Sequence, residues 1–229
     1  MMPSMSPRSL CICGLVVVAV SLAPAARAAQ PGVGKGTIMI SAERFFGFSA
    51  IRTSQDIPGG ELHVNQQSFG LALSPTLEAP YVYRVPRLGF DFALIDGLTL
   101  GGALGFATGD SGAEATMTTF LLAPRVGYVL GFSRAISLWL RGGFTYFNHT
   151  TRNDPDTRST TLWGTSLNVE PALMISPFEH VAFTASLLLD LPVAGKLRTE
   201  RVMGNVTTTS SVGLTVRHIG LMAGLVISF

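Results

Sequence analysis

The chain has 229 residues, 47% hydrophobic and only 13% charged, with a mean hydropathy of +0.41 and a formal charge of +2. That is too apolar for a disordered chain and too poor in Lys and Arg runs for a nucleic-acid binder, so no nucleic-acid partner is expected.

Leu10 to Leu22 (LCICGLVVVAVSL) follows Arg8 and is apolar, and Ala26 and Ala28 then form an A-x-A pattern. This layout predicts a secretory signal peptide over 1–28, cleaved after Ala28. The apolar run is short of the ~20 residues a membrane-crossing helix needs. Cys11 and Cys13 leave with the signal, so the mature chain has no disulfide or thiolate metal site. Losing Arg8 and Arg27 leaves 14 cations against 14 anions. Residues 29–36 read as a flexible lead-in and 37–229 as one domain.

From there on, apolar residues recur at period two. Leu88, Phe90, Phe92 and Leu94 alternate with Gly89, Asp91 and Ala93, and Leu98, Leu100, Leu104 and Phe106 alternate with Thr99, Gly101, Ala103 and Gly105. A strand turns successive side chains to opposite faces, so each run has one oily side. The other side is Gly, Ala, Ser and Thr with isolated charges. That composition suits a narrow interior better than a solvated exterior, which leaves the large residues facing lipid. Only a closed barrel lets a sheet do this without unpaired backbone in hydrocarbon.

Eight strands are predicted, at 37–51, 80–94, 98–108, 115–132, 136–149, 159–175, 181–191 and 210–229. Turns near Asp96, Arg134 and Phe178 are tight; the connections at 52–79, 109–114, 150–158 and 192–209 are mostly longer. Short turns on one side and long loops on the other place the short ones in the periplasm. Across each hairpin, lipid-facing residues must meet lipid-facing residues. Leu94 with Leu98, Phe132 with Ile136 and Ile175 with Val181 satisfy this, with Gly97 in the left-handed position of the first turn. The fold class is thus all-β, an eight-stranded antiparallel up-and-down transmembrane barrel.

The last strand ends Gly224-Leu225-Val226-Ile227-Ser228-Phe229. A terminal Phe with large apolar residues two and four positions earlier and a glycine at minus five resembles the C-terminal signal read by the outer-membrane insertion machinery. Met222 stands where that signal is usually polar. With eight strands, the mature chain resembles the small OmpA/OmpX-type barrels of Gram-negative envelopes. The resemblance is architectural. It implies an outer-membrane location, the insertion machinery as an assembly partner, outer-membrane lipids and lipopolysaccharide as surroundings, and a monomer, and it carries no active-site motif.

The strand phases turn Glu43, Arg87, Asp91, Arg125, Arg141, Glu170 and Asp190 inward, with His218 on the last strand. Glu43, Asp91, Arg125, Arg141 and Glu170 lie at similar heights and should approach one another, and Arg141 and Glu170 fit one adjacent-strand register. Such a network plugs the lumen, gates a narrow path for ions or small solutes, or transfers protons. Arg44 does not fit: in a regular strand it faces lipid, where a charge at mid-bilayer costs ~2–4 kcal/mol. A bulge near Glu43 that turns both residues inward, or a strand lying higher in the membrane, would each remove the conflict.

Tyr81, Tyr83, Phe120, Phe144, Tyr146 and Trp163 read as an outer aromatic girdle and Phe132, Phe178 and Phe229 as an inner one. Trp139 has inward phase and reads as a lumen filler. Small barrels include lipid A-modifying enzymes, and His149 at the outer rim is the best candidate base. It has no serine in an obvious arrangement, so a solvated rim histidine is the expected reading. The four dispersed histidines have no metal-ligand spacing, and no cofactor or metal is expected. The sequence therefore predicts a structural or surface-interaction protein, not an enzyme, acting through its outer loops. A narrow channel and, behind it, a lipid A-modifying enzyme are the alternatives.

Overall fold

The computed structural model describes residues 33–57, 60–71, 82–110, 115–153, 158–203 and 206–229. The predicted signal peptide and Tyr81 lie outside them. Among the described residues there are nine strands: β1 (Ile38–Ile57), β2 (Gly60–Leu71), β3 (Arg87–Ile95), β4 (Leu98–Asp110), β5 (Ala115–Gly131), β6 (Ile136–Asn153), β7 (Arg158–Phe178), β8 (Val181–Met203) and β9 (Val206–Ser228). From β3 to β9 each strand pairs with the next, and β1 pairs with both β3 and β9. Eight strands therefore close a ring, the β1–β3 seam running from Ile38↔Phe92 to Glu43↔Arg87, above which β2 takes the place of β3 beside β1. β2 is the ninth, an arm that folds back on β1 from Phe46↔Leu71 to Ile57↔Gly60.

The wall is oily outside and polar within. Outward Leu88, Phe106 and Phe178 are 64–69% exposed, whereas Asp91, Asp190 and His218 are fully buried. Such a surface is stable only against another apolar phase, because contiguous exposed patches of this size are otherwise rare.

Hairpin parity holds throughout, with one refinement. The body of the β3–β4 ladder follows the Leu94–Leu98 register, but its last pair is Ile95↔Leu98 across a bulge at Leu94. Gly97, at φ 78°, holds the left-handed position expected of it beside the bulge, and the bulge keeps the apolar faces in phase. Across β7–β8 the body pairs Ile175 with Phe183 rather than Val181, which leaves the parity unchanged.

The expected boundaries differ most in three places. β1 runs six residues beyond its predicted end, and most of the expected loop 52–79 that is described is β-ribbon. The expected loop 192–209 is mostly the outer ends of β8 and β9, separated only by residues 204–205. Beyond the apolar band both faces of a ladder meet water, so polar, Thr-rich strands lose the period-two signature while keeping their backbone pairing. The strand predicted from residue 80 begins only at Arg87. Val82–Arg84 form a single 3-10 turn instead, and Val82, Tyr83 and Val85 are buried inside the barrel.

Candidate functional site in the barrel lumen

The interior is layered. At the end of the short turns, Val33, Met39, Val129, Met174 and Val226 cluster around Trp139, whose indole N–H donates to Thr99 Oγ1 at 3.1 Å. Val33 is held there by the neighbouring chain, since Gly97 N–H donates to its carbonyl at 3.1 Å.

Above Trp139 lies a layer of ions. Arg125 Nε donates to Asp91 Oδ1 at 3.0 Å and its Nη1 to Glu43 Oε2 at 2.9 Å. Arg141 Nη1 donates to the other Glu43 oxygen at 2.5 Å, and its Nη2 donates to Glu170, which stands directly opposite across β6–β7. Asp91, Arg125, Glu43, Arg141 and Glu170 thus form one continuous chain, and the Arg141 guanidinium sits 4.4 Å above the Trp139 ring. Ser41 Oγ also donates to Glu43. Gly89 makes room for the cluster. A Cβ there would stand 2.2 Å from Ser41 Oγ and 2.7 Å from Arg125 Nη2.

Arg87 and Asp190 are also inside, but outside this chain. The Nε and Nη2 of Arg87 have no hydrogen-bond partner among the described residues. Asp190 instead meets His218 and Arg44, the latter 3.7 Å away.

Arg44 is buried because β1 sets three residues, 43–45, against the single Gly224 of β9. Its φ of 62° is the left-handed backbone of that bulge. Two extra residues preserve phase, so Ile38 and Ile40 below and Phe46 and Phe48 above all still point outward. Of the two resolutions open to the sequence, the bulge is the one adopted. It brings the buried arginines to four, Arg44, Arg87, Arg125 and Arg141, against four buried carboxylates, Glu43, Asp91, Glu170 and Asp190, among the described residues. Burying unmatched charge is costly, and the bulge supplies the missing cation.

Above the ions, Tyr83 stops the outer half. It packs with Ile51, Leu121, Phe147, Leu162 and Val216, lies edge-on to Phe147, and stacks on His218 at 5.3 Å with ring planes 4° apart. Tyr83 is therefore a lumen filler, not a girdle residue. Phe120, Phe144, Tyr146 and Trp163 do face outward near the outer ends, as Phe132, Phe178 and Phe229 do near the inner. His149 is also inside, its two ring nitrogens bonded to Thr119 and Thr151 at 2.7 and 3.2 Å, so it is not a solvated rim histidine.

His218 has the partners that His149 lacks. Its Nδ1 lies 2.9 Å from Asp190 Oδ2, and because the carboxylate only accepts, this nitrogen donates. Nε2 then accepts from Ser49 Oγ at 2.6 Å. Ser49, His218 and Asp190 stand on β1, β9 and β8 in the serine–histidine–carboxylate order that activates a nucleophile. Here the Ser49 hydroxyl is buried and the Tyr83 ring covers the imidazole. Inward phase was legible for His218 and Asp190. Their meeting with Ser49 depends on the β1–β9 closure, and no hairpin joins those strands.

No family model matches the sequence, and no curated protein matches it. Among solved structures, the outer membrane protein OprG from Pseudomonas aeruginosa is similar over 87% of this chain and 99% of its own, at 13% identity and a TM-score of 0.51. The fold is that of a small outer-membrane β-barrel. The N-terminal barrel domain of Pseudomonas aeruginosa OprF matches 86% of this chain and 99% of its own, at 12% identity and a TM-score of 0.44. Ail of Yersinia pestis matches 84% and 99%, at 13% identity and a TM-score of 0.41. The eight-stranded antiparallel barrel expected from the sequence holds as fold, on the ring of β1 and β3–β9 and the likeness to OprG.

Proposed function

We propose that the protein is a single-chain integral outer-membrane barrel with a closed lumen. In this reading it is exported by its signal peptide, placed by the insertion machinery, and surrounded by outer-membrane lipids and lipopolysaccharide. It serves envelope structure or surface interaction through the β-ribbons beyond its apolar band, above all β1–β2 and β8–β9. The observation that carries this reading is the stacking of Trp139, the ion layer and Tyr83, which fill the cross-section in succession. An eight-stranded barrel has an interior only wide enough for side chains, and here they meet across it. The ring closes within one chain and needs no second copy.

Planar-bilayer recording tests the reading. The wild-type barrel should give no steady conductance. Steady conductance that disappears in Arg141→Met or Glu170→Gln would replace the closed scaffold by a channel gated through the ion layer. Among the described residues the Ser49–His218–Asp190 geometry favours an enzyme, and mass spectrometry of lipid A with and without the protein addresses it. An unchanged lipid profile supports the scaffold; a lost or added acyl chain overturns it.

A further inference from the structure

Two arginines stand side by side on the outside of the wall. Arg52 and Arg217 are directly paired across β1–β9, and both are exposed. Like charges opposite one another on one face destabilise a sheet. Neither has a carboxylate partner among the described residues.

Beside them the wall is interrupted. Pairing between β8 and β9 jumps from Asp190↔His218 to Lys196↔Gly213, leaving residues 191–195 and 214–217 without mutual partners. A cleft of about 220 Å³ opens at this break, lined by Arg52, Ser54, Pro192, Thr215 and Arg217. That is several times the ~30 Å³ share of one water molecule. Ser54 Oγ is held by His63 Nδ1 at 2.9 Å, which keeps its side chain at the cleft.

The height of the cleft selects the ligand. Arg217 is twelve residues from Phe229 along β9. At about 3.3 Å per residue and a tilt of about 40°, the strand climbs ~30 Å, just past an apolar band ~25 Å tall. Ile219, Leu221 and Phe48 lie immediately below on the same outward face. Two guanidinium forks and two hydroxyls suit a phosphate, and the oily surface beneath them suits acyl chains of the same molecule. We propose that the Arg52–Arg217 cleft binds the phosphorylated headgroup of an outer-leaflet lipid. This rests on the outer-membrane reading and names the lipid contact within it.

The test is native mass spectrometry of the folded full barrel in detergent, with bis-phosphorylated lipid A, its dephosphorylated form, or inorganic phosphate. Wild type should retain bis-phosphorylated lipid A at least tenfold better than the dephosphorylated lipid. R52Q/R217Q should lose at least tenfold of that retention, and R217Q alone a smaller part. R198Q should be unchanged, since Arg198 is exposed and already paired with Glu200. Equal retention of the two lipids by wild type, or unchanged retention in a folded R52Q/R217Q or R217Q barrel, overturns the site. Retention of inorganic phosphate as strong as that of the lipid overturns the lipid as occupant. A wild-type chain that fails to insert into bilayers overturns the barrel reading and the site together, whereas an inserted barrel indifferent to phosphate overturns the site alone.

Discussion

Arg44 donates from Nη1 to the backbone carbonyl of Tyr83 at 2.7 Å, tying a bulge in the wall to the segment that stops the outer half of the lumen. The same guanidinium faces Asp190, which also accepts from His218. One arginine therefore neutralises a buried carboxylate and holds a plug. Arg44→Met should cost about 3–5 kcal/mol, because Asp190 is left without its cation. Urea unfolding of the barrel in liposomes reads this, and pairing the change with Asp190→Asn should recover part of the loss. An unchanged midpoint would show that Arg44 carries no such burden.

Glu43 is the hub of the ion layer, accepting from both Arg125 and Arg141. Glu43→Gln should therefore destabilise the barrel more than Glu170→Gln, which deprives one arginine only. Replacing Arg141 and Glu170 together by methionine should cost less than either single change, since no charge is then left alone. A double variant weaker than both singles would contradict this pairing.

The lumen is closed at two apolar levels, so neither should open it alone. Tyr83→Ala and Trp139→Ala should each stay silent in planar bilayers, and so should the double variant, because the ion layer between them still fills the cross-section. Conductance from any of these variants would mean that the ion layer does not seal the lumen.

The buried Ser49 hydroxyl should not react with a fluorophosphonate probe, because Tyr83 covers its histidine and no approach is open. Ser49→Ala should lower stability by about 1 kcal/mol through the lost hydrogen bond. A probe adduct on Ser49 that vanishes in His218→Ala, read by intact mass, would make this a working nucleophile.

Gly89 lies where a side chain would enter the ion layer. Gly89→Val should displace Arg125 or Ser41 and destabilise the barrel by about 1–3 kcal/mol, the usual cost of overpacking. Thermal retention of the folded, fast-migrating band on gels measures it, and an unaltered profile would mean the cluster has room to spare.

Much of this molecule is written in its order of residues. Period-two alternation with bulky residues on one side and glycine, serine and isolated charges on the other suffices for an inside-out wall, because a strand must alternate its faces. Hairpin parity then carries phase from strand to strand, which is why the inward direction of Arg141, Glu170, Asp190 and His218 was legible. What folding alone decided lies where that local logic has no purchase. The bulge at Arg44 inserts two residues and leaves the phase on either side intact, so the pattern shows only that Arg44 does not fit, and the fold chooses the bulge over a strand lying higher. Tyr83 looks like a strand residue until the segment before β3 drops into the lumen, where an apolar ring gains more by burial than at an interface. Ser49 meets His218 only because the first strand closes on the last, and that contact spans 169 positions of chain with no turn between them to set its register.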